Sequence, residues 1–449
     1  MKRRLTEESV LFISVLKWFV LATIVGGIVG LSTTGFLKVL SWSTAFMNQY
    51  SYSFLFLPGA LFLSAVLIRY LAPDAAGQGT DRVIEAVHKR SGKIKAMVVP
   101  VKLAATVITI ATGGSAGRIG PCAQIGGGLT SLFADLLRLD DRDRKKLVIC
   151  GISAGFSSVL GTPIAGAIFG VEVLFVGSIL YDVLFPSFVA GIVSYQVASF
   201  LGVTHFHAFV ASVPHFSHSL LLEVVLAGVF FGLCSFFLVE IMGYGKKLSE
   251  TIPLGMPQKG IIGGLALVLL ALIFSKQYLG QGLETIQSSL QGTHIVWYAF
   301  ILKMVFTSVT LNFGGSGGIV VPILFVGASS GALLGEILGA NTATFSAMGF
   351  VSLLAGATNT PIAASILALE LFGPEFASYA ALACVISFLM TGHRSVHPTQ
   401  VLAVGKSSSL RVETGRELDQ IQPQFQARSR SLIGTGLRVA KAIRRKRPK

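Results

Sequence analysis

The sequence predicts an all-α polytopic membrane protein built from two inverted-topology repeats with broken, re-entrant helices. Three observations support this prediction: 52% of the residues are hydrophobic, only 13% are charged, and one glycine-rich stretch occurs twice. Soluble domains carry about 25% charged residues, and an apolar run of about 20 residues, which recurs here, crosses a bilayer as a helix. Backbone polar groups in lipid must pair within helices or closed barrels, and the alternation of a barrel is missing.

The duplicated stretch reads Gly-Gly-Ser, then a Gly and a Pro, at 113–121 and again at 314–322. A second pair follows: a Thr-Pro-Ile-Ala run leads to Glu172, and the same run leads to Glu370. The two offsets are 201 and 198 residues. Matched pairs in one order at nearly one offset indicate an internal duplication. We therefore divide the chain into a first repeat (1–200), an outer linker (201–219), a second repeat (220–402) and a basic cytoplasmic tail (403–449).

The charge of the chain is distributed unevenly. The net charge is +15, with basic clusters at 2–4, 89–95, 138–146, 246–247 and 428–449, whereas residues 147–245 contain no Lys or Arg. The positive-inside rule places these clusters and both termini in the cytoplasm, with the protein in the cell (inner) membrane. The expected partner is therefore the lipid bilayer, with anionic headgroups near the basic tail, and nucleic-acid binding is not favoured.

The first half alternates apolar runs with glycine-rich breaks. We expect residues 11–47 to span outward and residues 54–70 to return, before Gly-Gln-Gly-Thr-Asp at 77–81 interrupts the pattern. Thr80 or Asp81 would cap a short helix that ends near the basic cluster at 89–95. Further helices are expected at 96–112, 119–137, 147–176 and 180–200.

The second half begins from the opposite side of the membrane. The neutral linker should face outside, and residues 220–245 then return to Lys246 and Lys247, which is the inverted arrangement typical of transporters. Helices are expected at 260–275, at 293–312 and from the second Gly-Gly-Ser stretch to about residue 390, before a break at 392–402. The linker histidines could bind a metal or sense acidity, but we favour an ordinary loop because no acid or Cys lies among them: His205, His207, His215 and His218.

The paired breaks have a chemical meaning. An interrupted helix leaves free backbone N–H groups inside the membrane, and its N-terminus carries about half a positive charge. Together these features bind anions without a Lys or Arg. Breaks at matching positions in two inverted halves point to a midplane site. The alternative is close helix packing through small residues, which we expect for the glycines at 126–128.

Four short segments carry a family resemblance. Residues 77–81 resemble G-S-G-I-P, residues 117–121 (Gly-Arg-Ile-Gly-Pro) resemble G-R-E-G-P, and residues 318–322 (Gly-Ile-Val-Val-Pro) resemble G-x-F-x-P. Residues 395–400 resemble a late segment whose third position is usually Tyr. The chain thus resembles the CLC family of chloride channels and proton-coupled anion exchangers. This resemblance implies a homodimer with one anion pathway per subunit, no cofactor beyond the permeant chloride or other small anion, and these anion-binding residues: Gln78, Gly79, Arg118, Ile119, Gly120, Ile319, Val320 and His397.

Departures from the family pattern are informative about coupling. The Glu of the second motif, which in the family blocks the outer site and carries protons, is Ile119 here. The position of a second proton-transfer Glu falls on Val173. With both positions apolar, we predict a passive chloride channel that is not proton-coupled, and no enzyme activity. The alternative is a proton-coupled chloride or fluoride exchanger that uses other titratable groups.

Four of the implied residues are candidate gates. Ile119 and Val320 could form an apolar constriction that gates by dewetting. Gln78 and His397 replace a Ser and a Tyr, and both can donate hydrogen bonds. His397 would make conduction pH-sensitive if it titrated near the ordinary histidine pKa of about 6.5, whereas a neutral, hydrogen-bonded imidazole would not.

Several other features are expected to be structural. We favour a helix-packing role for Glu172 and Glu370, although intramembrane acids often serve function. Four G-x-S-x-G matches suggest glycine-rich composition rather than a serine hydrolase. The 47 residues after Leu402 are too few for a typical regulatory domain, and residues 432–443 could form an amphipathic stretch. The cysteines lie in apolar runs and should be reduced packing residues: Cys122, Cys150, Cys234 and Cys384.

Overall fold

The structure, a computed structural model, describes residues 2–205 and 218–425. In these ranges seven helices are long and apolar enough to cross a membrane, and five shorter apolar helices accompany them. The predicted all-α polytopic class is confirmed. Strands in the described ranges are limited to four two-residue segments.

The described residues before the linker contain eight α-helices and one short strand. Helices α1 and α2 are followed by the short amphipathic helix α3, and β1 lies between α7 and α8. Their bounds are α1 (Lys2–Asn48), α2 (Leu57–Leu71), α3 (Thr80–Lys89), α4 (Val98–Ala111), α5 (Ile119–Leu136), α6 (Asp141–Leu160), α7 (Pro163–Glu172), β1 (Phe175–Val176) and α8 (Tyr181–Phe200).

Eight further helices and three short strands follow the linker. Among the linker histidines only His205 belongs to the part of the chain whose side chains are described. The bounds are α9 (His218–Thr251), α10 (Met256–Ile273), α11 (Leu283–Leu290), α12 (Ala299–Asn312), α13 (Val320–Leu338), α14 (Thr342–Thr358), α15 (Pro361–Phe372), α16 (Pro374–Thr391), β2 (Val401–Leu402), β3 (Leu410–Arg411) and β4 (Gln424–Phe425).

Two local predictions were wrong. The expected span 147–176 is two helices, α6 and α7, because Gly161 adopts a left-handed conformation with φ of 78° and Pro163 starts a new helix. The basic residues at 142–146 belong to the first turns of α6, whose start is capped by Asp140. At α3, neither Thr80 nor Asp81 is the cap: the N-cap is Gly79, and no side chain caps the helix.

Glycines let the central helices pack closely in both halves. A Cβ on Gly126 of α5 would lie 2.3 Å from the carbonyl oxygen of Gly151 on α6. A Cβ on Gly327 of α13 would lie 2.2 Å from the carbonyl oxygen of Gly349 on α14. Both distances are too short for a real side chain, so the packing role expected for the glycine run at 126–128 holds at Gly126.

Two carboxylates join the halves reciprocally. Glu172, at the end of α7, accepts hydrogen bonds of 3.1 and 2.8 Å from the N–H groups of residues 362 and 363 at the start of α15. Glu370, near the end of α15, accepts bonds of 3.0 and 2.8 Å from residues 164 and 165 at the start of α7. Each carboxylate therefore satisfies the free donors and positive end of the other helix, which confirms the structural role predicted for both acids.

The segment after α16 folds back onto the helices. Strand β2 pairs in parallel with β1, and β3 pairs antiparallel with β4. Lys89 at the end of α3 forms a 2.9 Å ion pair with Glu417. Residues 403–425 are thus attached to the helical domain, while the amphipathic stretch suggested at 432–443 lies outside the described residues. The four cysteines are buried and unpaired, as expected.

Candidate anion site

The two Gly-Gly-Ser stretches meet in the middle of the fold. Gly117 and Gly318 exchange two backbone hydrogen bonds of 2.7 Å, which form an isolated antiparallel bridge. Immediately after the bridge, α5 begins at Ile119 and α13 begins at Val320. The residues preceding them, Arg118 and Ile319, are their N-caps. Two helix starts, each with free N–H groups and a positive end, therefore lie side by side.

A third helix start reaches the same place. A Cβ on Gly79, the N-cap of α3, would lie 2.5 Å from the carbonyl oxygen of Gly120. A Cβ on Gly120 would lie 2.2 Å from the carbonyl oxygen of Gln78 and 2.9 Å from Cα of Gly318. Only glycine permits these approaches, and Gly79 also has a φ of 88°. The predicted residues at 78–79, 118–120 and 319–320 are therefore neighbours.

His397 is completely buried, and its surroundings leave it without a partner. Within the described part of the chain, neither of its ring nitrogens has a hydrogen-bond partner, and the side-chain oxygen assigned as Oε1 of Gln78 has none either. His397 belongs to the turn at 395–400, which contacts α3 through Thr399 and Asp81. An unpaired buried polar atom costs about 1–3 kcal/mol, and a ligand that hydrogen-bonds here would recover that cost.

Apolar side chains flank the bridge. Ile119 and Val320 are each 1% exposed and belong to the hydrophobic core. Neither side chain can ionise or donate a hydrogen bond. Arg118 is partly exposed, and no described carboxylate forms an ion pair with it.

Hydroxyl groups hold the bridge from both sides. The Ser115 N–H donates to Oγ1 of Thr310, and the Ser316 N–H donates to Oγ1 of Thr109, each at 3.0 Å. The Ser115 and Ser316 hydroxyls contact Thr307 and Thr106, respectively, at 3.1 Å. The two halves thus make matching contacts at matching positions, which fix both glycine stretches against the opposite half.

Two buried lysines support the loops next to the site. Lys102 of α4 donates to the carbonyl of Gly77 at 2.7 Å, and Lys303 of α12 donates to the carbonyl of Gly280 at 2.8 Å. Both lysines are 0% exposed, and none of the described carboxylates pairs with them. In this low-dielectric interior, an ammonium group held by backbone carbonyls attracts an anion more strongly than it would in water.

Sequence reasoning missed these lysines, although a signal existed. Lys102 and Lys303 are 201 positions apart, the same offset as the Gly-Gly-Ser stretches, and Gly-Gln-Gly precedes them at 77–79 and 280–282. Applying the offset to every polar residue within the apolar runs would have found the pair. The Thr residues that hold the bridge repeat at the same spacing.

Val173 lies directly after α7 and is completely buried. Its carbonyl accepts a 2.7 Å hydrogen bond from the Gln400 side chain. The position at which the family resemblance implies a proton-carrying Glu is therefore an apolar side chain in a packed interior. The adjacent acid, Glu172, already accepts two backbone hydrogen bonds.

Comparisons with known sequences point to the same family as the sequence motifs. The family model described as "Voltage gated chloride channel" matches residues 59–392. A protein of Pseudomonas syringae pv. tomato named "Chloride/fluoride channel protein" is 35% identical over 437 residues, which cover 96% of each chain.

Solved structures share the architecture. A crystal structure of a CLC-type fluoride/proton antiporter has a TM-score of 0.83 at 26% identity, and the match covers 87% of this chain and 99% of the other. A slow cyanobacterial Cl⁻/H⁺ antiporter has a TM-score of 0.72 at 17% identity, covering 83% and 94% of the two chains, and shows the fold alone. The chain therefore belongs to the voltage-gated chloride channel (CLC) family of membrane channels and transporters, as the four sequence motifs indicated.

Proposed function

We propose that this protein is a passive anion channel of the CLC family that conducts chloride, fluoride or both without moving protons. It works as a homodimer in the cell membrane with both termini in the cytoplasm, and each subunit has its own pathway. The bridge that joins the two Gly-Gly-Ser stretches is formed within one chain, which supports one complete pathway per subunit. The name of the Pseudomonas syringae relative supports chloride and fluoride as the ions.

Ile119 is the observation on which this proposal rests. Its side chain stands at the first residue of α5, next to the Gly117–Gly318 bridge, where the family motif has a glutamate. A carboxylate at this position would compete with the anion and accept a proton, whereas an isoleucine does neither. Coupled exchange requires a group that alternately competes with the anion and carries a proton, and Ile119 can do neither.

The second proton position supports the same conclusion. Val173 cannot carry a proton, and Glu172 beside it holds the start of α15 with both carboxylate oxygens. A proton taken up by Glu172 would weaken two hydrogen bonds to charged oxygen, so protonation would loosen the start of α15. Neither side of the pathway then offers the usual relay.

The remaining groups suit conduction. Free N–H groups at three helix starts, the amide of Gln78 and the imidazole N–H of His397 replace the water that a small anion loses on entry. The buried charge of Lys102 adds attraction without binding the anion directly. Ile119 and Val320 act as an apolar constriction that closes when water leaves it.

A proton-coupled exchanger is the second candidate. Glu172 lines a cavity of about 450 Å³ together with Asn359 and Phe388, so water could reach one carboxylate. Solved relatives with the same fold are named fluoride/proton and Cl⁻/H⁺ antiporters. In this alternative Glu172 or His397 would replace the missing glutamates.

Paired flux from proteoliposomes separates the two candidates. Vesicles loaded with chloride or fluoride are diluted into an anion-poor buffer with valinomycin, while an ion-selective electrode and a pH electrode record both ions. Anion efflux that needs valinomycin and leaves pH unchanged supports the channel. Proton uptake in fixed ratio to anion efflux would support the exchanger and contradict the proposal.

A further inference from the structure

Helix α3 begins with an acid that does not cap it. Asp81 is the second residue of α3, a position from which a carboxylate commonly interacts with the free N–H groups and positive end of its own helix. Yet α3 has no side-chain cap. The N–H groups of Arg82 and Val83 donate to the carbonyl of Gly79, at 3.1 and 3.3 Å. Those of Thr80 and Asp81 have no acceptor among the described residues, so the start of α3 is open.

Thr399 holds the carboxylate instead. Its hydroxyl donates to Oδ1 of Asp81 at 2.6 Å, and its N–H donates to the same oxygen at 3.3 Å. The hydroxyl also lies 3.1 Å from the carbonyl oxygen of Asp81. The adjacent cation, Arg82, does not compete for Asp81, because it bonds Glu85 and the carbonyl of Ala76.

The turn that carries Thr399 is anchored by other parts of the fold. The Gln400 side chain donates to the carbonyls of Val173 and Thr358 at 2.7 and 2.8 Å. The Ser395 hydroxyl donates to the carbonyl of Ala357 at 3.2 Å. Thr399 therefore stays in place through contacts with Val173, directly after α7, and with α14, and it sets the direction of the Asp81 side chain.

We propose that Thr399 is a positioning residue that keeps the Asp81 carboxylate off the open N–H groups of α3, so that this positive helix end remains available to the permeant anion. The inference rests on the proposed anion pathway. A released carboxylate would compete for the same donors and would repel an anion nearby, strongly so where water is scarce. Thr399 thereby determines whether Asp81 inhibits conduction.

The test is a pair of substitutions with opposite expected effects. Thr399→Val keeps the size of the side chain but removes the hydroxyl, and we expect it to lower chloride flux in proteoliposomes by about tenfold, as moving one negative charge closer to a poorly hydrated anion would. Adding Asp81→Asn removes the released charge and should return flux to within about twofold of the unchanged protein. A purely structural link would instead show no recovery when its second partner is also lost.

Three controls complete the experiment. Thr399→Ser retains the hydroxyl and should behave as the unchanged protein, and Lys89→Met breaks the ion pair with Glu417 at the far end of α3 without affecting flux. Asp81→Asn alone should conduct at least as well as the unchanged protein, which keeps the test decisive if Thr399→Val does not fold. Full flux in Thr399→Val, no recovery in the double variant, or low flux in Asp81→Asn would overturn the proposal. An unchanged protein that passes neither chloride nor fluoride would overturn the proposed function as well.

Discussion

At the scale of single residues, the decisive feature is the side chain at the start of α5. Ile119 is 1% exposed and lies two residues after Gly117, one of the two glycines that form the bridge. The surrounding groups still offer hydrogen bonds and positive helix ends to an anion. In the proposed function, this position therefore allows an anion to bind without a group that would couple binding to a proton.

Replacing Ile119 with a small polar residue should open the pathway. We expect Ile119→Ser to raise the open probability several-fold in planar bilayers, because a hydroxyl lets water occupy the constriction with Val320. The anion-to-cation permeability ratio should stay the same, since the helix ends remain. Currents identical to those of the unchanged protein would mean that Ile119 does not limit conduction.

Lys102 provides a second residue-level prediction. Lys102→Met should lower chloride flux on the order of tenfold, because it removes an ammonium group that donates to the loop carrying Gln78. Lys303→Met is the matched comparison: it removes an equally buried lysine that donates to the Gly280 carbonyl and not to the loop that carries Gln78. Equal losses in both variants would indicate a general loss of folding instead.

At the scale of helices, the reciprocal caps connect α7 with α15. Glu172→Ala leaves two backbone donors without acceptors and should lower the free energy of unfolding by about 2 kcal/mol. Glu370→Ala should cost less, because Glu370 is more exposed and water can replace it. Thermal unfolding in detergent measures both values, and anion selectivity should not change. Normal stability with altered proton flux in Glu172→Ala would instead favour the exchanger.

Helix α3 should weaken in acid through His88. Its imidazole lies 3.1 Å from the Leu174 carbonyl and against the Phe175 ring, and burial lowers the pKa of His88 below its ordinary value of 6.5. The unfolded chain therefore binds a proton at pH values where the folded chain does not. The contribution of His88 to stability is complete above pH 6.5 and is lost as the pH falls below that value.

The matched variant for this effect is His88→Gln, which keeps a donor for the Leu174 carbonyl but cannot titrate. We expect the melting temperature of the unchanged protein to fall more steeply between pH 7 and pH 5 than that of the variant. Parallel curves for the two proteins would assign the acid sensitivity to other groups.

At the scale of the whole molecule, patterns repeated in the sequence predicted much of the fold. Apolar runs, the Gly-Gly-Ser pair and the positive clusters predicted a helical membrane protein with helix breaks at 113–121 and 314–322, where the structure brings the chain together. Helix bounds at Gly161 and the attached strands after α16 were missed. These depend on left-handed glycine geometry and on pairing between segments far apart in the chain, which periodicity does not report.

The sequence predicted the backbone segments that form the site, but it did not predict the side chains that hold these segments in place. The backbone approaches made by Gly79, Gly117 and Gly120 are ones that only glycine permits. The motifs that contain these glycines therefore predicted where the chain comes together. The supporting contacts of Lys102 and Thr399 join residues that look ordinary within their own segments. Such partners become visible only when the internal offset is applied, as for the lysines, or when the fold places them together, as for Asp81 and Thr399.

The measurement that tests the account most directly is the zero-current voltage across a planar bilayer containing the protein, with equal chloride on both sides and a pH gradient imposed. A passive anion channel has no driving force under these conditions, so we expect the current to reverse at zero voltage for any pH gradient. A reversal voltage that shifts in proportion to the pH difference would show that protons move with the anion, and it would contradict the claim that Ile119 and Val173 uncouple this protein.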